Sequence, residues 1–117
     1  MKPVLITGAG LIGQQCASLL SARGQACTLV DIRPPSPSVL SLPGVAFIEA
    51  DLLRAPLQDM LHGIDGVLHT AAVLSTGLRA DPLRGLEVNI MGTARLLDAA
   101  HMAGVRRFVQ ASSATVV

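Results

Sequence analysis

Three glycines at positions 8, 10 and 13, set between a short apolar run and a helical pattern, constrain this chain more than any other feature. Val4–Ile6 reads as a strand, and Gly8-x-Gly10-x-x-Gly13 leads into apolar residues at helical spacing. A strand that turns directly into a helix makes a tight corner with its backbone open. Gly8 permits the turn, Gly10 lets another molecule approach the backbone, and Gly13 lets the helix lie on the strand. The N–H groups at the helix start, aligned with its dipole, form a place for an anion such as a pyrophosphate. Asp31 closes the next apolar run, eighteen positions after Gly13, where a carboxylate accepts hydrogen bonds from a ribose diol. Strand, glycines, helix and acid in this order predict a βαβ unit that binds a dinucleotide. The competing reading is a glycine-rich turn that merely packs.

Apolar runs and helical patterns alternate along the rest of the chain. Strands are expected at Pro3–Thr7, Ala26–Val30, Val45–Ile48, Gly66–His69 and Arg106–Ser112. A helix is expected over Leu11–Arg23, with Ile12, Cys16, Leu19 and Leu20 on one face and Gly24 stopping it. Pro56–Leu61 reads as a short helix. Asp81–Met102 reads as a long one, with Asp81 as N-cap, Pro82 as first residue and Gly104 at the end. Arg33–Pro43 is rich in Pro and Ser and reads as a loop. The alternation predicts an α/β, Rossmann-like, doubly wound parallel sheet of strand order 3-2-1-4-5, in one domain spanning residues 1–117. The ligand crevice then lies where the winding reverses, beyond the carboxyl ends of the first and fourth strands. Thr7, Asp31, Asp51, Thr70 and Ser113 follow strand ends and converge on that edge.

Composition narrows the function. Half of the 117 residues are apolar and 15% are charged, as suits a sheet covered on both faces. The net charge is +1, the arginines are scattered and the aromatics are two phenylalanines, so neither nucleic acid nor an anionic membrane is a supported partner. The uncharged stretch Pro3–Ala22 is long, but its glycines, glutamines and Thr7 fit a strand–turn–helix rather than a membrane span. It lacks the basic start and cleavage site of a signal peptide. Cys16 and Cys27 read as buried free thiols in a reducing cytoplasm. His62 and His101 have no acidic or thiol partners in sequence, so no metal site is indicated. His69, within an apolar strand, reads as a core histidine with its hydrogen bonds satisfied.

Beyond the glycine motif the chain resembles the extended short-chain dehydrogenase/reductase family, of the NAD-dependent nucleotide-sugar epimerase/dehydratase type. Thr7-Gly8-Ala9-Gly10-Leu11-Ile12-Gly13 resembles the family's Thr-Gly-x-x-Gly-x-x-Gly, one residue shorter between the first glycines. Ala50-Asp51-Leu52 and Val67-Leu68-His69-Thr70-Ala71-Ala72 resemble the stretches that meet the adenine and line the cofactor. Glu87-Val88-Asn89-Ile90-Met91-Gly92-Thr93 with Leu96-Leu97-Asp98-Ala99-Ala100 is similar to its long-helix signature. Gly104-Val105-Arg106-Arg107-Phe108-Val109, running into Ala111-Ser112-Ser113, is similar to the strand that carries an active-site hydroxyl.

The resemblance implies roles residue by residue. Gly8, Gly10, Leu11, Ile12 and Gly13 cradle the pyrophosphate, and Asp31 takes the adenosine ribose. Asp51 and Leu52 meet the adenine; the competing reading of Asp51 is a cap on the following turn. Thr70, Ala71 and Ala72 line the nicotinamide side. Asn89 either sits beneath the cofactor or ties the helix to a neighbouring loop. Ser113 is the catalytic hydroxyl that holds the reacting oxygen of the substrate; no Gly-x-Ser-x-Gly elbow frames it as a nucleophile. NAD is favoured over NADP because Asp31 repels a 2′-phosphate, although Arg33, two residues on, is a group that receives one. The implied partner is a small molecule, a nucleotide sugar or sugar derivative, and the implied assembly is a homodimer.

The family's Tyr-x-x-x-Lys is not in this chain, which has no tyrosine and a single lysine, Lys2. The expectation is therefore an amino-terminal portion of a longer enzyme, ending before the sixth strand and the substrate-binding lobe, and inactive alone. A naturally short binding module and a redox-sensing regulator that binds dinucleotide without turnover are the alternatives.

Overall fold

A computed structural model describes residues 3–73 and 75–112. Five parallel strands, β1 (Val4–Thr7), β2 (Cys27–Asp31), β3 (Val45–Glu49), β4 (Gly66–His69) and β5 (Arg107–Gln110), form one sheet in the order β3-β2-β1-β4-β5. The register is level across it: Val4 pairs with Cys27 and Gly66, Cys27 with Val45, and Gly66 with Arg107. Strand alternation sends successive side chains to opposite faces, and each face has its own core. Leu5, Val30 and Val67 join Leu52, Leu57, Leu61 and Leu96 on one side. Ile6 and Leu29 join Ala17, Cys27 and Val39 on the other.

Helix α1 (Leu11–Ala22) covers the second face by a different stripe from the one its large residues suggest. Gly13 and Ala17 are buried, Cys16 and Leu20 are half-buried, and Ile12 and Leu19 are 54% and 63% exposed. Small residues let the helix axis come close to the sheet, so Gly13 and Ala17 take the centre of the contact face, flanked by Cys16 and Leu20, while Ile12 and Leu19 turn outward. A Cβ on Gly13 would stand 1.8 Å from the Gly8 carbonyl oxygen, and Gly8 itself turns at φ +91°.

The segment expected as a loop between β2 and β3 contains a helical turn, α2 (Pro37–Leu40), with Ser36 at its N-cap and Val39 in the core. Ser-Pro at N-cap and N1 is a helix-start pattern, and the surrounding prolines obscured it. After β3 come α3 (Leu57–Met60) and, past β4, α4 (Ser75–Ala80), which was not expected. The long helix expected from Asp81 runs as α5 (Pro82–Leu86), a π-helical stretch (Glu87–Gly92) and α6 (Thr93–Ala103). Asp81 caps it, accepting a 3.2 Å bond from the Arg84 N–H. Strand β5 is shorter than the expected Arg106–Ser112.

Candidate functional site

The strand order reverses at β1, between β2 and β4, and a cleft of about 620 Å3 opens there beyond the carboxyl ends of the strands. That volume lies within the ordinary range for small-molecule sites. Its floor is the β1–α1 corner. Gly10 is the N-cap of α1, and no side chain caps the helix start nor does any acidic residue stand in its first turn. The Leu11, Ile12 and Gly13 N–H groups are therefore available to an anion. A Cβ on Gly10 would meet nothing within 4 Å, so this side of the loop faces open space. Leu11 and Ile12 line the cleft while 74% and 54% exposed, apolar surface left uncovered at its mouth.

Asp31 ends β2 on the same side. Its Oδ2 accepts from the Ala9 N–H at 2.7 Å and its Oδ1 from the Ile32 N–H at 2.6 Å. Two backbone donors thus fix the carboxylate beside the glycine corner. Asp51, beyond β3, takes the capping role weighed for it and also stands in the cleft lining. Its Oδ1 accepts from the Leu53 N–H at 2.9 Å, capping the turn, and Asp51 and Leu52 also line the cleft. The Leu53 N–H holds the Asp51 carboxyl below its usual range; burial opposes this, and the Arg84 guanidinium, 3.3 Å from Oδ2, adds to it.

Thr70, Ala71 and Ala72 form the opposite wall. The Thr70 hydroxyl is turned back, donating to the Thr7 carbonyl at 2.6 Å. Thr7, expected at the crevice, is fully buried and faces His69 instead. A directed chain of hydrogen bonds starts there. Thr93 Oγ1 donates to the Asn89 carbonyl at 2.8 Å, so it accepts from His69 Nε2 at 2.7 Å. His69 Nδ1 then accepts from Thr7 Oγ1 at 2.6 Å, and Thr7 Oγ1 accepts from the Ala71 N–H at 3.3 Å. The neutral imidazole this requires agrees with burial, which pushes the His69 pKa down. His69 is a core histidine with both nitrogens bonded.

Two residues expected at the cofactor are not in the cleft wall. Asn89 uses its amide on Val73, accepting from its N–H at 2.7 Å and donating to its carbonyl at 3.0 Å. It ties the helix to the 71–73 loop, the second of the two roles open to it. Arg33 is exposed and outside the lining, carried off on Pro34 and Pro35, while its neighbour Ile32 takes a place in the wall. Ser113 lies outside the described residues. Sequence reasoning missed Ile32, Val73, Arg84 and Val88, which line the cleft. Ile32, Val73 and Val88 each adjoin a residue that was named, whereas Arg84 reaches Asp51 across 33 positions and had no such signal. Cys16 and Cys27 are free thiols, and burial, reinforced by Cys16, pushes the Cys27 thiol up. Among the described residues no helix is long and apolar enough to cross a membrane.

The model of the "NAD dependent epimerase/dehydratase family" matches residues 4–117. The chain is 34% identical over 127 aligned positions to a UDP-glucose 4-epimerase of Klebsiella pneumoniae, covering 99% of this chain and 91% of that protein. It is 35% identical over 122 positions to a 3 beta-hydroxysteroid dehydrogenase/isomerase of Mycobacterium tuberculosis, covering 97% of this chain and 32% of that protein. Among solved structures it resembles the UDP-glucose-4-epimerase of Stenotrophomonas maltophila with bound NAD and formylated UDP-arabinopyranose. The TM-score is 0.85 and the identity 36%, over 99% of this chain and 38% of that one. The chain therefore spans about a third of the length of the last two.

Proposed function

The chain belongs to the NAD-dependent epimerase/dehydratase family, and on that premise we propose that its cleft binds NAD for an oxidoreductase acting on an alcohol of a sugar or sugar-like substrate, such as a nucleotide sugar. One observation carries the reading: an uncapped helix start, an open face at Gly10 and a backbone-anchored Asp31 carboxylate meet in a single cleft at the sheet's switch point. These residues fit a dinucleotide. The Leu11, Ile12 and Gly13 N–H groups hold the pyrophosphate, and Asp31 accepts from the ribose hydroxyls. Asp51 and Leu52 form the adenine end, and Thr70, Ala71 and Ala72 the nicotinamide side. Bound there, the nicotinamide supplies or accepts the hydride. Ser113 holds the substrate oxygen where charge develops.

The acid–base group of such a reaction is not among these 117 residues, which contain no tyrosine and only Lys2. Residues 1–117 alone accordingly bind cofactor without turnover. The free thiols Cys16 and Cys27 support a reducing compartment, the cytoplasm.

Calorimetric titration with NAD and NADP tests the binding. The expected result is tighter NAD; tighter NADP or no binding by a folded chain overturns it. Dehydrogenase activity from residues 1–117 alone would overturn the division of labour. A dinucleotide sensor binds in the same way, and a whole protein without Tyr-x-x-x-Lys would favour it.

A further inference from the structure

The Ala9 peptide, at the centre of the glycine corner, is gripped from both sides. Its N–H donates to Asp31 Oδ2, and its carbonyl accepts from Gln14 Nε2 at 2.8 Å. The oxygen of the same Gln14 amide accepts from Ser36 Oγ at 3.0 Å and from the Ser36 N–H at 3.3 Å. The partners fix the amide's orientation: a carbonyl only accepts and a backbone N–H only donates, so nitrogen faces Ala9 and oxygen faces Ser36. Ser36 stands at the N-cap of α2, and its hydroxyl makes no cap bond to the helix backbone; it donates to Gln14 and also meets Ser38 Oγ at 3.1 Å.

Between Asp31 and Ser36 runs Ile32-Arg33-Pro34-Pro35, in which two prolines restrict the backbone and Pro35 is buried. The segment is pinned at both ends. At one end Asp31 is bonded to Ala9 and Ile32, and its carbonyl accepts from the Ala50 N–H at 3.0 Å. At the other end Gln14 holds Ser36. Arg33 rides between the pins, exposed and outside the cleft lining, within two residues of the carboxylate that reads the ribose.

We propose that Gln14 is a positioning residue for cofactor selectivity: by tying Ser36 to the glycine corner, it keeps the Arg33 segment off the cleft and so excludes a dinucleotide carrying a 2′-phosphate. The inference rests on the reading that the cleft takes a dinucleotide. A 2′-hydroxyl needs only the acceptor that Asp31 provides. A 2′-phosphate beside that carboxylate is repelled unless a cation pairs with it, and guanidinium is the side chain best shaped to do so. Arg33 is within chain reach of that position, and the Gln14–Ser36 tie sets where it is carried. Selectivity here comes from an arginine held away as well as from an acid held in place.

The experiment measures NAD and NADP dissociation constants for the full chain, Gln14→Met, Ser36→Ala, and Gln14→Met combined with Arg33→Ala, with circular dichroism confirming the fold. Gln14→Met should lower the ratio of the NADP to the NAD constant by tenfold or more. Adding Arg33→Ala should restore the original ratio. Ser36→Ala, which leaves α1 and the glycine corner intact, should shift the ratio the same way by a smaller factor, and it decides the matter if Gln14→Met misfolds. An unchanged ratio in a folded variant, or a drop that persists without Arg33, overturns the proposal while the dinucleotide reading stands. Binding of neither cofactor by the unaltered chain overturns both.

Discussion

The two walls of the cleft are built by different means. On the β1–β2 side, backbone atoms shape the surface: uncapped N–H groups at α1, the Ala9 N–H on Asp31, and the Gly8 carbonyl filling the space beside Gly13. On the β4–α6 side, side chains do: Thr70 on the Thr7 carbonyl, His69 between Thr7 and Thr93, Asn89 on Val73. At Gly13 the first wall therefore has no room for an added carbon, whereas the second depends on its polar groups. The same small substitution should have opposite consequences on the two.

Gly13→Ala tests the first wall most severely. Its methyl would meet a backbone oxygen at 1.8 Å, with no flexible side chain to yield. A stability loss of about 3 kcal/mol, at the upper end for overpacking, is expected in urea denaturation. A loss below about 1 kcal/mol would show that the corner is softer than its geometry.

His69→Phe tests the second wall. It keeps a ring of similar size but strips one hydrogen bond from each of Thr7 and Thr93, for an expected loss of about 2 kcal/mol. The pH dependence sharpens the test. Burial lowers the folded-state pKa of His69 from 6.5, so the unfolded chain takes up this proton first. Its contribution to stability is complete above pH 6.5 and declines as pH falls towards the folded value, by at most about 1.4 kcal/mol per unit. His69→Phe should lack that slope. If it retains the slope, another group is responsible.

Gly10→Ala separates binding from folding within the first wall. The added methyl meets nothing in the fold, so denaturation should change by less than about 1 kcal/mol. On the proposed reading the methyl stands where the pyrophosphate comes closest, and NAD affinity should fall at least tenfold, about 1.4 kcal/mol. Equal NAD affinity would remove the phosphate from this corner. The smallest effect belongs to Arg84→Met. Its ion pair with Asp51 is partly solvent-exposed, and such pairs contribute below about 0.5 kcal/mol. A larger loss would mean that this pair, not the Leu53 N–H, organises the Asp51 turn.

The same contrast explains what could be read from the sequence. Gly8, Gly10, Gly13 and Asp31 were legible because each acts through its own backbone or its immediate neighbours, and local spacing records that. The sheet order followed from alternation alone. The stripe on α1 was only partly right: Cys16 and Leu20 pack on the core, but hydrophobic periodicity ranks Ile12 and Leu19 above Ala17, whereas close packing on a sheet favours the small residue. Asn89 was legible as an oddity in a helix, but its partner Val73 sits on another element and has no sequence mark. Arg33 was placed at the cofactor by proximity to Asp31, but it is exposed and outside the cleft lining, a placement that nearness in sequence does not record.

The Thr7–His69 bond spans 62 residues, whereas the Ala9–Asp31 bond spans 22. Closing the longer loop costs about 0.9 kcal/mol more in chain entropy, before any contact within it is made. The glycine corner, with Gln14 and Ser36, draws only on residues up to 36, and short-range contacts form soonest. During synthesis that unit is available to fold while the strand carrying His69 is still unmade. The order in which these contacts become possible thus follows the order of the chain: the Ala9–Asp31 bond needs only the first 31 residues, and the Thr7–His69 bond waits for the fourth strand.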